Sequence, residues 1–332
     1  MHVTMRDVAR HAGVSVKTVS RVVNGEPHTR PEVIQRVHAS IDELGWVRNG
    51  SARALRTGRT GIVGIGVAEL RRPYLASLVE TLVTEADRRG MQAAVEPTHY
   101  SSESVRQLLD ARGRTFDGVI LIGHELPDSV PRRPNSHPIV VVQGPQSQHE
   151  MDRVDEDVAE AAMLIARHLT VMSRTRPALL GSDQRAALSA ALLTALATTG
   201  IRPEAVPVIP LEPPVDRRAG ARAAAGILMR NPEVDVLLCA NDEVALGALA
   251  ALAAREVDVP RRVAVIGYDN LEDGWFSSPS LTTIDPGRER IARAAFDLLG
   301  ERLDGTAPAH ARSVVLPVKL IRRESTLGVG AG

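Results

Sequence analysis

The sequence predicts a protein of the α/β class, in which a small all-helical head precedes a larger body of two mainly parallel sheets. In the first 46 residues, apolar positions recur only at helical spacing. From residue 62 onward, short apolar runs typical of buried strands alternate with helical segments. This alternation predicts parallel sheets, and the number of strand runs predicts two of them. A length of 332 residues fits two or three domains.

Composition excludes several classes of protein. Hydrophobic residues make up 44% and charged residues 24% of the chain, as in ordinary globular proteins. The longest nearly apolar run, 245–254, is too short to span a bilayer. The first residues carry scattered charges and no apolar core of a signal peptide. The single cysteine, Cys239, excludes an internal disulfide. We therefore expect a cytoplasmic protein with no membrane partner.

Charge is unevenly distributed along a chain whose formal net charge is zero. Residues 1–60 contain ten Lys and Arg against five Asp and Glu, a net charge of +5 that the rest of the chain balances. A basic head on an acidic body is typical of a phosphate-binding module joined to a module for an uncharged ligand. Charge alone leaves open that this is only a solvated basic face.

Three short helices are predicted in the head. Thr4, with an acid three residues later, starts the first helix, and Gly13 ends it. Ser15 can cap a second helix over 16–24, and Pro31 lies in the first turn of a third. Their apolar stripes, which would share one core, comprise Val8, Ala9, Ala12, Val19, Val22, Val23, Val33, Val37, Ile41 and Leu44. The first two helices and their four-residue connection form a helix-turn-helix.

The second helix carries the residues expected to contact a DNA duplex. Arg21 can bond a guanine through two donors, Lys17 can donate to guanine or phosphate, and Val16 can pack on a thymine methyl. Thr18, Ser20 and Asn24 suit phosphate and sugar contacts. Thr4, Ser15 and His28 complete the set of candidates in the head. The alternative is a surface helix with incidental charge.

Three runs, TMRDVARHAGVSVKTVSRVVNG, RPEVIQRVHASIDELGWVRN and SARALRTGRTGIVGI, resemble the LacI/GalR family of bacterial repressors. The match is nearly gap-free over the first 66 residues and continues more loosely to about residue 326. One departure is Arg30, where the family usually has a small capping residue; Thr29 could take that place. The resemblance implies a homodimeric transcription regulator, expected to be a repressor, on a near-palindromic double-stranded DNA operator.

A hinge helix at about 49–57 is also implied by the resemblance. In the family this segment folds on DNA and pairs with its twin in the dimer. Leu55 falls at the position of a leucine that enters the minor groove, where an apolar wedge unstacks a base step. Ala52 falls where the two hinge helices approach, and Asn49 is a further candidate contact.

The remaining domain boundaries come from the resemblance, which implies a two-lobed, periplasmic-binding-protein-like body. The expected divisions are a head at 1–46, a hinge and linker at 47–60, and a body at 61–327 for effector binding and dimerisation. The N-lobe would comprise about 61–157 and 287–313, and the C-lobe about 158–286 and 314–327.

Candidate ligand-binding residues follow the carboxyl ends of predicted strands, where open α/β sheets bind ligands. By resemblance, Asn241 and Asp269 take effector-contacting positions, Tyr74 lies in a loop that lines the cleft, and Arg185 follows a later strand. A small polar effector, carbohydrate-like, is expected. Asp242 is instead interpreted as an acid that stabilises the helix it begins. Only 2% of residues are aromatic, so stacking on a sugar has few candidates.

No motif favours catalysis, a metal or a cofactor. The chain has no P-loop, and the glycines near residue 64 lack the third member of the dinucleotide fingerprint. Four acids at 152–157 lack calcium-loop spacing and are predicted to lie in a solvated turn; they are Asp152, Asp155, Glu156 and Asp157. We therefore expect no enzyme. The main alternative is a DNA-binding regulator with no small effector or with a protein partner; an exported solute receptor would need a signal peptide.

Overall fold

A computed structural model describes residues 3–23, 25–27, 29–46, 58–124, 138–144, 151–182 and 185–328. The chain divides into two compact units, Met1–Thr60 and Gly61–Gly332. The predicted hinge helix lies outside the described residues. So do five predicted DNA contacts: Asn24, His28, Asn49, Ala52 and Leu55.

The head consists of α1 (Met5–His11), α2 (Val16–Val23) and α3 (Pro31–Leu44). Local signals set their ends. The backbone N–H of Thr4 donates to Asp7 Oδ2 at 3.0 Å, and the backbone N–H of Thr18 donates to Ser15 Oγ at 3.1 Å. At the far end of α3, Gly45 adopts a φ of 60°, which only glycine adopts without strain. The N-cap of α3 is Arg30 rather than Thr29, and it makes no side-chain capping bond.

The core of the head lies between the three helices. Val8, Val19 and Val37 are fully buried, each from a different helix. Trp46, which follows α3, is also buried against them, although the helical stripes did not predict it. Its large aromatic side chain adds buried apolar area to a core that otherwise consists mostly of small valines and alanines.

The body alternates strands and helices. In chain order its elements are β1 (Ile62–Val67), α4 (Pro73–Arg88), β2 (Gln92–Pro97), α5 (Ser102–Asp110), β3 (Gly118–Ile122), β4 (Ile139–Val142), β5 (Asp152–Glu156), α6 (Val158–Val171), β6 (Pro177–Gly181), α7 (Ala186–Thr198), a 3₁₀ turn (Pro203–Ala205), β7 (Val208–Pro210), α8 (Arg217–Arg230), β8 (Val236–Cys239), α9 (Asp242–Ala253), β9 (Ala264–Tyr268), α10 (Glu272–Trp275), β10 (Thr282–Asp285), α11 (Arg288–Leu303), β11 (Ser313–Leu316), β12 (Lys319–Ile321) and α12 (Glu324–Leu327).

These strands form two six-stranded sheets, one in each lobe. The N-lobe sheet has the order β11-β5-β4-β3-β1-β2 and is parallel throughout. The C-lobe sheet has the order β12-β10-β9-β8-β6-β7, with β12 antiparallel to β10. The architecture confirms the predicted α/β class, the three-helix head and the two mainly parallel sheets.

The apolar run at 314–324 reads in the sequence as one strand but forms two, β11 and β12. β11 pairs with β5 in the N-lobe, and β12 pairs with β10 in the C-lobe. Pro317 lies between them, and proline has no N–H to continue a ladder. The chain therefore leaves the N-lobe sheet after Leu316 and joins the C-lobe sheet at Lys319.

The acid-rich segment at 152–157 is not the solvated turn that the sequence predicted. Residues 152–156 form β5 inside the N-lobe sheet, with Asp152, Val154 and Glu156 buried. Asp157 caps α6 by accepting the backbone N–H of Glu160 at 2.8 Å. The acids on the buried face have arginine partners, which is how charged side chains become tolerable there.

The apolar cores lie on both faces of each sheet. Cys239 lies in the C-lobe core, where burial raises the pKa of its thiol and so disfavours the thiolate that a nucleophile requires. Across the described part of the chain, the helices are all too short or too polar to cross a membrane.

Candidate functional site

The outer face of α2 presents the residues predicted to read bases. Val16 is 42% exposed, although it is apolar. Lys17 and Arg21 are exposed and four residues apart, so they lie on one side of the helix. Val19 and Val22 are buried on the opposite side. The helix is therefore anchored by its valines and leaves a basic face with an apolar residue at its leading end.

Two other predicted contacts, Thr4 and Ser15, act as helix caps. The hydroxyl of Thr4 donates to Asp7 Oδ2 at 2.6 Å, and these hydrogen bonds hold the pKa of Asp7 below its usual value. The hydroxyl of Ser15 lies 2.8 Å from that of Thr18. Thr18 and Ser20 are half-buried beside this cap. Their contribution to a DNA surface stays a prediction.

In the body, one arginine joins the two lobes. Arg185 precedes α7 in the C-lobe, and its Nη2 donates to Asp269 Oδ1 at 2.7 Å. Its Nη1 donates to Glu156 Oε1 at 3.0 Å, and Glu156 ends β5 in the N-lobe sheet. The guanidinium also lies 4.5 Å from the ring centroid of Tyr268. Three groups that bind a cation therefore surround it.

The N-lobe side of this contact continues through Gln143. Its Nε2 donates to Glu156 Oε2 at 2.7 Å. The same amide lies within 2.7 to 3.0 Å of the Tyr74 hydroxyl. We call the connected residues the inter-lobe cluster; its members are Tyr74, Gln143, Glu156, Arg185, Tyr268 and Asp269. Five of them end or follow strands of the two sheets, where ligands of α/β proteins bind. Tyr74 lies in the first turn of α4 and not in the predicted loop.

The inter-lobe cluster holds two carboxylates and one guanidinium in a buried setting. The side chains of Glu156 and Asp269 are 7% and 2% exposed. Burial raises the pKa of Asp269 to about 7, although Arg185 opposes that shift. Burial likewise raises the pKa of Tyr74 well above its ordinary value. Burial therefore favours the protonated form of Asp269 near neutral pH.

Asn241 does not join the inter-lobe cluster through any described contact. It is the N-cap of α9, and its Oδ1 accepts the backbone N–H of Val244 at 2.8 Å. Its Nδ2 donates to the backbone oxygen of Val215 at 3.3 Å. Both ends of the amide are therefore engaged within the C-lobe, and its role toward a ligand stays a prediction.

Asp242 begins α9, and its carboxylate also ties neighbouring segments together. It accepts the backbone N–H of Leu271 at 2.7 Å and the hydroxyl of Thr283 at 2.6 Å. Burial raises the pKa of Asp242 to about 6. These bonds hold the loop after β9, where Asp269 has a φ of 117° that a side chain rarely adopts.

Three of the four predicted ligand residues thus meet in space: Tyr74, Arg185 and Asp269. Sequence reasoning missed Gln143, Glu156 and Tyr268. Glu156 carried a usable signal, since it alternates with Asp152 and Val154 on one side of a strand. Within the described ranges, no group of three or more His, Cys, Asp and Glu side chains could hold a metal ion.

Comparison with known families matches both parts of the chain. Residues 4–49 match the model of bacterial regulatory proteins of the lacI family. Residues 166–326 match the model of a periplasmic binding protein-like domain. The first match covers the helix-turn-helix, and the second covers most of the C-lobe.

Individual relatives match over 81% to 98% of the chain. The chain is 28% identical to the HTH-type transcriptional repressor PurR of Erwinia tasmaniensis, over 96% of each protein. A structure described as a transcriptional regulator of the LacI family from Sanguibacter keddieii is 34% identical, covers 81% of this chain and 99% of its own, and has a TM-score of 0.72. A complex of the transcriptional regulator CelR with cellobiose is 25% identical, covers 98% and 100%, and has a TM-score of 0.68.

Proposed function

We propose, because the chain belongs to the LacI family of bacterial regulatory proteins, that it is a homodimeric repressor of transcription controlled by a small polar ligand. As a DNA-binding transcription regulator it is not an enzyme. Its target would be a near-palindromic operator of roughly 14–20 base pairs, because one short helix reads few bases and a two-fold repeat supplies the rest. Such a target places its action in the cytoplasm.

The observation that carries this proposal is the exposed face of α2. Lys17 and Arg21 lie one helical turn apart on a helix whose other side is fixed in the head core. A helix of this size fits the major groove, and an arginine there can donate twice to guanine. Val16 adds an exposed apolar group suited to a thymine methyl.

Replacing Arg21 by alanine is expected to relax base preference at one position in each half-site, at a cost of about 1–3 kcal/mol. The reason is that a bidentate arginine distinguishes guanine from the other bases, whereas a phosphate contact does not. Selection of bound DNA from a random pool, followed by affinity measurements on single-base variants, tests this.

Arg10→Ala is the matched control, since Arg10 is exposed on α1 and its loss changes the charge equally. That variant should lower affinity for all sequences alike. If Arg21→Ala behaves in the same uniform way, Arg21 contacts phosphate. If the wild-type protein selects no sequence at low salt, the proposed function is wrong.

Dimer formation is supported by apolar side chains exposed on the C-lobe. Trp275 and Phe276 are 61% and 75% exposed beside one another at the end of α10. Neighbouring Arg217 and Asp273 carry opposite charges 2.7 Å apart. A patch with both charges beside an apolar centre can match a second copy of itself across a two-fold axis.

Effector binding is proposed at the inter-lobe cluster. Its carboxylates, amide and guanidinium can exchange hydrogen bonds with sugar hydroxyls, and the CelR structure shares the body fold while holding cellobiose. A ligand that bridged Glu156 and Asp269 would alter how the lobes are held together. A coupling of about 1–3 kcal/mol to the head would change DNA affinity by roughly 5- to 150-fold. We propose that the hinge residues Asn49, Ala52 and Leu55 couple the effector site to DNA binding.

Thermal unfolding in the presence of monosaccharides, disaccharides and nucleosides tests the effector. A ligand at roughly 100–1,000 times its dissociation constant should raise the free energy of unfolding by about 2–4 kcal/mol. The shift should disappear in Glu156→Gln if the cluster is the site. A shift that persists there would place the ligand elsewhere.

A regulator without a small effector is the second candidate function. The members of the inter-lobe cluster satisfy one another, and Tyr74 and Asp269 are only 3% and 2% exposed. A panel in which no compound stabilises the protein, while DNA selection succeeds, would favour this alternative.

A further inference from the structure

Glu26 is held beside the proposed base-reading arginine by the turn that ends α2. Gly25 has a φ of 63°, and its N–H donates to the backbone oxygen of Val22 at 3.1 Å. The N–H of Glu26 donates to the backbone oxygen of Arg21 at 2.9 Å. This pair of bonds is the pattern with which a glycine closes a helix. It fixes the backbone of Glu26 next to the backbone of Arg21.

The two side chains also meet. Glu26 Oε2 lies 3.7 Å from Arg21 Nε, and the side chains are 50% and 52% exposed. An ion pair this exposed contributes little to folding stability. A carboxylate on a face that approaches phosphates also weakens non-specific binding. Neither folding stability nor overall DNA affinity therefore explains the contact between Glu26 and Arg21.

The geometry of the arginine side chain explains the contact. The guanidinium offers donors along two edges, one that includes Nε and one formed by Nη1 and Nη2. A carboxylate on the Nε side leaves the outer edge available for the O6 and N7 atoms of a guanine. The same negative charge disfavours a swing of Arg21 toward a neighbouring phosphate. Both effects favour a contact of Arg21 with a base over a contact with the DNA phosphates.

We infer that Glu26 is a positioning residue that orients Arg21 for base selection and penalises non-specific binding. The inference rests on the proposed function, since it assigns a role to Glu26 in the same DNA surface. Glu26 would act through Arg21 and need not touch the duplex.

The test uses the full-length protein and the operator that selection yields. Affinities are measured for this operator and for a version in which the base pair sensitive to Arg21→Ala is replaced. We expect Glu26→Gln to reduce discrimination between the two by about fivefold or more, part of what a bidentate contact supplies. In an Arg21→Ala background, Glu26→Gln should have no further effect on discrimination, because its partner is gone.

Glu32→Gln is the matched control, since Glu32 is exposed at the start of α3 in the same head and its loss changes the charge equally. It should raise affinity for both DNAs alike and leave discrimination unchanged. If Glu26→Gln likewise raises affinity for both DNAs alike and leaves discrimination unchanged, Glu26 acts only through its charge and the inference is wrong. If the wild-type protein shows no sequence preference, the proposed function itself is wrong. If wild type and Glu26→Gln discriminate equally between the two DNAs, only the inference about Glu26 is wrong.

Discussion

Arg185→Met is expected to lower the free energy of unfolding of the body by about 3–5 kcal/mol, the cost of breaking a buried ion pair from one side. Glu156 and Asp269 would keep buried carboxylates without their shared cation. Methionine removes the charge, including the cation–π contact with Tyr268, and keeps most of the side-chain volume, so the loss reports charge rather than volume. Urea unfolding at pH 8 followed by circular dichroism measures it.

The penalty of Arg185→Met should also depend on pH. Burial raises the pKa of Asp269 from 3.8 to about 7, so this carboxyl group destabilises the fold as pH rises through that range. Without Arg185 the charged form becomes less favourable still. The variant should therefore recover part of its lost stability at pH 5.5, where Asp269 is protonated.

Arg217→Met provides the comparison. Arg217 pairs with Asp273 at 2.7 Å, but both side chains are 47% exposed, so its loss should cost less than about 1 kcal/mol. Adding Glu156→Gln and Asp269→Asn to Arg185→Met should restore most of the stability, since no buried charge remains uncompensated. Equal losses in Arg185→Met and Arg217→Met would show that the inter-lobe cluster is solvated.

The inter-lobe cluster also shows how far sequence alone reaches toward a site. The rule that ligands bind at the carboxyl ends of strands, together with the family resemblance, named Tyr74, Arg185 and Asp269, and these three do meet. Gln143 and Glu156 connect them. Gln143 also follows a strand, β4, but an amide there carries no signal of its partners, and Glu156 lies in a strand whose apolar content is low. Asn241 satisfied the same rule and is engaged as a helix cap. Position at a strand end does not tell which way a side chain points.

The fold was predictable where local signals suffice. In the head, Thr4 and Ser15 mark helix starts that the structure confirms, because caps depend on neighbouring residues only. Strands such as β3 and β9 are continuously apolar, which is the pattern by which the sequence predicts buried strands. β10 was missed because Thr282 and Thr283 are buried through hydrogen bonds to distant segments. Such partners are long-range and leave no trace in a short window.

β5 is the strand that the sequence predicted least well, because it was expected to be a solvated turn. Its first residue, Asp152, gives the second prediction with a large expected effect. Asp152 is 1% exposed and accepts from Arg302 Nη2 at 2.8 Å and from Arg312 Nη2 at 2.7 Å. The backbone N–H of Arg312 donates to the same carboxylate at 2.9 Å. Asp152 thus joins the start of β5 to the end of α11 and to the residue that precedes β11.

Asp152→Asn is expected to destabilise the N-lobe by about 3–5 kcal/mol, since Arg302 and Arg312 would lose the countercharge that faces both of them. Their side chains are only 9% and 16% exposed, so water replaces the lost bonds poorly. Equilibrium urea unfolding, with wild type and variant at the same pH, gives the difference. Asp155→Asn, on the same strand but with a side chain 23% exposed, should cost about 1 kcal/mol or less.

Acidification separates a charge effect from a packing effect at Asp152. Burial opposes ionisation, but the hydrogen bonds from Arg302 and Arg312 outweigh it and hold the pKa of Asp152 below 3.8. A carboxylate with a lowered pKa stabilises the fold above its unfolded pKa and loses that contribution as pH falls through its folded pKa. The gap between wild type and Asp152→Asn should therefore be constant from pH 8 to about pH 5 and shrink below pH 3.8. A gap that stays constant at low pH would mean that shape, not charge, makes Asp152 necessary.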